Sequence, residues 1–136
     1  MTDLACCVLS METIFPDSSI RYRAITNPAL QTACYWLIIA AELATAILCW
    51  IGVYALLSKL RAPAISFNDA KGWAIAGLTL GFLTWQVGFM AIGGEWFGMW
   101  QSTTWNGEQS AFRFHMTIVA TLIYLVLYDD ELSPSS

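Results

Sequence analysis

Glu42 is the one charged side chain in a run of 25 residues, 33–57, that is otherwise apolar or weakly polar. Few roles are open to a carboxyl group there. At the centre of a spanning helix it costs roughly 2.5 to 3.5 kcal/mol, so it must be protonated, paired or turned toward a cavity. It lies some seven residues, about 10 Å, past Tyr35 and Trp36, aromatics of the kind that mark a membrane interface. Two uses stay open: a carboxylate that carries a proton or binds a ligand, and a packing group that hydrogen-bonds a neighbouring helix. Gln86, in a second apolar run, and Arg113 and His115, at the start of a third, are the polar side chains expected to cluster with it. Glu95 is expected at the mouth of that cluster.

Other reactive types are sparse. His115 is the only histidine, so the chain cannot hold a haem between two imidazoles or build a His-rich metal site; a single ligand shared with a partner is the residual possibility. Cys6 and Cys7 are adjacent, and Cys34 and Cys49 stand 15 residues apart, about 22 Å along a helix. No CxxC occurs, and Cys34 and Cys49 are read as small apolar residues. No metal, no catalytic constellation and no cofactor is expected. Gly77, Gly81, Thr84 and Gly88 form a stripe spaced four, three and four, with a GxxxG at Gly77 and Gly81. Such a stripe allows close helix approach, either to the Ala41, Ala44, Thr45, Leu48, Gly52 side of the first run or to another subunit. No strand precedes it, which sets aside a phosphate loop. Between the second and third runs, Glu95, Trp96, Trp100 and Trp105 alternate with hydrogen-bonding groups, a pattern that suits a re-entrant or headgroup-level hairpin. It reads either as an aromatic belt or as a surface for a lipid, a quinone-like ligand or a partner protein.

The elements that position these residues follow from composition. Of 136 residues, 57% are hydrophobic and 12% charged, where soluble domains carry about 25% charged residues. Three apolar runs, residues 33–57, 73–92 and 112–128, approach the ~20 residues that a span needs. Too few polar residues remain to cover them in water. The net charge of −4 excludes a basic nucleic-acid binder, and the apolar content excludes a disordered chain. The expected fold is all-α: a polytopic membrane protein with three transmembrane helices and an aromatic-rich extracytoplasmic hairpin between the second and third. Residues 1–32 form an extramembrane segment without a signal peptide's basic start, ending at a helix start at Asn27-Pro28. Residues 33–128 form the membrane domain and 129–136 an acidic tail. Residues 58–72 carry Lys59, Arg61 and Lys71 against one acid, whereas 93–111 carry Glu95 and Glu108 and no base. Short basic loops stay in the cytoplasm, so the Lys59–Lys71 connection and the C-terminus are expected there, with residues 1–32 outside.

The chain resembles the domain of unknown function 2165 family of predicted small integral membrane proteins. The resemblance rests on Leu9-Ser10-Met11-Glu12-Thr13-Ile14-Phe15-Pro16, on Tyr35-Trp36-Leu37-Ile38-Ile39-Ala40 with Glu42, and on residues 88–102, from Gly88-Phe89-Met90 through Gly93-Gly94-Glu95-Trp96 to Gln101-Ser102. It continues through Thr104-Trp105-Asn106-Gly107 and Ala111-Phe112-Arg113 to Asp129-Asp130. It implies a four-helix protein of the bacterial inner membrane whose first helix would precede residue 1 here; the family name confers no activity. The functional expectation is a non-enzymatic accessory or assembly subunit of a larger membrane complex. The alternatives are an oligomeric small-solute, proton or ion transporter using Glu42, and a lipid- or quinone-interacting redox subunit. Expected partners are the lipid bilayer and a membrane protein or further copies of the chain, with no nucleic acid.

Overall fold

The computed structural model describes residues 2–104 and 106–130, and every regular element among them is helical. The helices are α1 (Thr2–Ser10), α2 (Pro28–Ser58), α3 (Ala64–Ala70), α4 (Gly72–Leu83) and α5 (Glu108–Val126). α2 starts at Asn27-Pro28. The Asn27 side chain accepts the Ala29 N–H at 2.9 Å, and Pro28 fills a first-turn position where a missing N–H leaves nothing unpaired. α3 and α4 lie on one path, Ala64–Trp96, whose last stretch, Thr84–Trp96, changes to the wider i→i+5 pattern. It closes where the Phe97 N–H donates to the Ile92 carbonyl at 3.0 Å.

α2 and α4 pack through small residues. Gly52 meets Ala74, Gly77 meets Leu48 and Cys49, and Gly81 meets Thr45. A Cβ on Gly52 would stand 2.6 Å from the Ala74 backbone, so the helices approach this closely only because glycine is there. α5 covers another side of α4, with Ile118 near Gly81 and the His115 ring 5.2 Å from that of Phe82.

The outward faces are apolar. The most apolar windows of α2 and of Ala64–Trp96 are only 6% and 11% buried, the reverse of a soluble protein's core helix. Leu37, Ile47, Trp50 and Tyr54 lie exposed along α2. These two helices are long and apolar enough to cross a bilayer. The sequence predicts three such helices, and α5 does not reach that apolarity: its 19 residues begin with Glu108 and take in Arg113 and His115 within two turns.

The large-residue core sits at one end of the bundle. Leu9, Met11, Ile14 and Phe97 are buried together, with Ile20, Ala24, Ile25 and Cys34 packed against them. Met11, 1% exposed, leaves α1 at a left-handed φ of 54°, and the chain returns so that the Ile25 N–H donates to the Leu9 carbonyl at 2.8 Å. Buried Gln31 ties this cap to α2, donating to the Ile25 carbonyl at 2.7 Å and accepting from Cys6 Sγ at 3.2 Å. Between the spans, by contrast, the buried residues are Gly52, Ala74, Gly77 and Gly81. Large apolar side chains gather where water would drive them together, and small ones line a seam whose surroundings are already apolar. At the opposite end Lys71, with its side chain 8% exposed, pairs with Asp129 and donates to the Leu127 carbonyl. Asn68 donates to the Asp129 carbonyl at 3.0 Å and accepts the Asp129 N–H at 3.1 Å, which clasps the end of α5 to α3.

Candidate functional site

Glu42 lies near the middle of α2, at the height where α4 passes into its wide turns. It lines a groove with Thr45, Ala46, Thr84, Trp85 and Phe114, and its side chain is on the outer surface. The two hydroxyl groups that line the groove are engaged elsewhere. Thr45 donates its hydroxyl to the Ala41 carbonyl at 2.8 Å, and Thr84 donates to Leu80 at 2.9 Å. Each hydroxyl has one proton to give. Among the described residues no hydrogen bond or ion pair reaches Glu42.

The other members of the expected cluster stand apart. Gln86 is half-buried and Arg113 exposed, and their sequence neighbours Trp85 and Phe114, rather than they, line the Glu42 groove. His115 packs on Phe82, and its Nδ1 is buried without a partner among the described residues. What comes together instead is an aromatic stack that the sequence reading missed. The Trp85 ring lies between Phe89, 4.7 Å away, and Phe114, 4.8 Å away, both near-parallel. The i, i+4 pair Trp85 and Phe89 was its one visible signal; the third ring comes from α5. Of the glycine stripe, Gly77 and Gly81 lie in the α2–α4 seam, whereas Gly88 has no atom of another element within 4 Å of a Cβ position. The change to i→i+5 bonding at Thr84 turns it out of the 3.6-residue register, into an apolar groove beside Leu37, Ile38 and Ala41.

At the capped end, Glu95 and Trp96 are exposed, and Trp96 carries Arg23 over its ring at 4.4 Å. Trp100 meets Phe15 edge-on at 6.2 Å. Gly98, at a left-handed φ of 65°, turns the chain into this contact, where Ile20 leaves no room for a side chain. Trp105 lies outside the described residues. Asn106 accepts the Glu108 N–H at 3.1 Å and so starts α5. The segment before α2 and the loop after Trp96 therefore form one assembly at one end of the bundle, a contact across more than seventy residues of sequence between Arg23 and Trp96.

Cys6, Cys34 and Cys49 are in no disulfide, and no group of three or more His, Cys, Asp or Glu among the described residues is arranged to hold a metal. A family model described as predicted small integral membrane protein (DUF2165) matches residues 3–128. No curated protein and no solved structure matches the chain.

Proposed function

Because the chain belongs to this family of predicted small integral membrane proteins, we propose that it is a non-enzymatic accessory or assembly subunit, joined to a larger membrane complex through the face that carries Glu42. One observation carries the reading. Glu42 is exposed at mid-helix with no donor among the described residues, and a carboxyl group left so in hydrocarbon costs roughly 2.5 to 3.5 kcal/mol. A donor on a neighbouring helix offsets part of that cost, because an interhelical hydrogen bond replaces the missing partner. The groove beside it is open to the side, which favours lateral docking over conduction through the chain itself.

The same reading has α5 crossing as a third span. At 19 residues it is roughly 28 Å long, close to the thickness of the hydrocarbon. Its polar start then lies at the capped end, in the headgroup region, and its apolar remainder crosses against α4. The cap with its aromatic hairpin lies outside a bacterial inner membrane, and Lys59, Arg61 and Lys71 lie in the cytoplasm with the end of α5. Clustering of the buried large apolar residues at the capped end supports placing that end in water.

Purification from native membranes in mild detergent, followed by native mass measurement, tests the reading. A stoichiometric foreign membrane protein is expected with the wild-type chain, largely lost with Glu42→Leu and partly kept with Glu42→Gln. A complex made only of copies of this chain overturns it in favour of the transport alternative. A foreign complex unaffected by Glu42→Leu overturns the role given to Glu42.

A further inference from the structure

Arg23 is held by the cap without a counter-charge. Its Nε donates to Tyr22 Oη at 3.2 Å, its Nη1 donates to the Trp96 carbonyl at 3.3 Å, and the guanidinium lies over the Trp96 ring. Two of five N–H donors are thus engaged, leaving one on Nη1 and both on Nη2. Among the described residues no carboxylate lies within salt-bridge distance of it. Stacking on Trp96 restrains a planar fork that suits a phosphate. Tyr22 and Trp96, which flank it, are 79% and 54% exposed, as aromatic side chains at a headgroup layer are.

An apolar groove begins one turn below. Four residues before Trp96 on the same helix, Ile92 joins Val87, Gly88, Leu37, Ile38 and Ala41 around an open space of about 390 Å³. It exists because α2 and the Thr84–Trp96 segment part beyond the glycine seam, and Gly88 leaves it unfilled. The cation stands toward the end of the bundle and the groove toward its middle, the order in which a phospholipid presents phosphate and acyl chain.

We propose that this end of the protein holds a glycerophospholipid, its phosphate on the free donors of Arg23 and one acyl chain in the groove past Gly88. The occupant follows from the two chemistries together: an unpaired guanidinium calls for an anion, and the groove calls for a hydrocarbon chain covalently attached to it. The two grooves share Thr84, but Glu42 does not line this one and neither Arg23 nor Gly88 lines the other, so the test does not depend on the assembly reading.

The experiment is native mass spectrometry of the full chain in mild detergent with added dioleoyl phosphatidylglycerol. One lipid is expected to be retained by the wild type. Dioleoylglycerol, with the same chains and no phosphate, is expected to be released. Arg23→Gln is expected to weaken retention about tenfold or more, with Arg23→Lys intermediate. Gly88→Leu, whose side chain points into open space and so leaves the fold intact, is expected to weaken it by filling the groove. Equal retention of dioleoylglycerol, or wild-type retention by Arg23→Gln, overturns the phosphate site; wild-type retention by Gly88→Leu overturns the acyl groove.

Discussion

Gly52→Ala should destabilise the bundle, and Gly88→Ala should not, although both replace a helical glycine between apolar neighbours. At Gly52 the new Cβ would lie 2.6 Å from the N, Cα and Cβ of Ala74, two of them backbone atoms that no rotamer change can move. Ordinary contact begins near 3.4 Å, so α2 and α4 must separate by about 1 Å at this point. Overpacking of that kind costs about 1–3 kcal/mol, against which alanine's better helix propensity returns about 0.5–1 kcal/mol. A net loss of up to about 2.5 kcal/mol is expected from these two effects. At Gly88 nothing lies within 4 Å, and the propensity gain of about 0.5–1 kcal/mol is unopposed. The assay is reversible unfolding in mixed micelles at rising dodecyl sulfate fraction, followed by circular dichroism. Gly52→Ala should unfold earlier than wild type and Gly88→Ala at the same point or later. Coincident curves for the two variants would refute the seam as described, since they would mean that α2 and α4 do not approach through Gly52 and Ala74.

Two further outcomes test the two ends of the molecule. Asp129→Asn removes the charge partner of Lys71 but leaves the Leu127 carbonyl, and because Asp129 is 55% exposed the loss should be only about 1 kcal/mol. It should be read as faster hydrogen exchange in the last turn of α5, and unchanged exchange there would mean that the clasp does not hold that turn. At the other end Cys6 is exposed and free. In a Cys7→Ser background, a membrane-impermeant maleimide should label it on intact cells, whereas labelling only after lysis would reverse the proposed orientation.

Where the physics is local, the chain carries local signals. Asn27-Pro28 marks a helix start because capping and a fixed φ act within one turn, and α2 starts there. Gly77 and Gly81 mark a seam because the 3.6-residue period places them on one face, and they meet Thr45, Leu48 and Cys49. The same extrapolation fails at Gly88, since apolar spacing does not show where hydrogen bonding changes to i→i+5. Depth along the helices puts Glu42, Gln86, Arg113 and His115 in one half of the membrane, but depth carries no information about direction around the axis. In the structure Trp85 and Phe114, not Gln86 and Arg113, face the Glu42 groove. The cap was invisible for a different reason. Its core joins Leu9, Met11 and Ile14 to Phe97, and nothing in the spacing of residues 1–32 announces a partner so distant in sequence.

The central claim is that another protein covers the Glu42 face, and the most direct measurement is a photo-crosslink from within it. Ala46 lines that groove one turn from Glu42, and it is exposed. A photoreactive amino acid at position 46, irradiated in native membranes, should give one discrete protein adduct that disappears when Glu42→Leu is added. Adducts to lipid alone, with no protein band at any dose, would contradict the account.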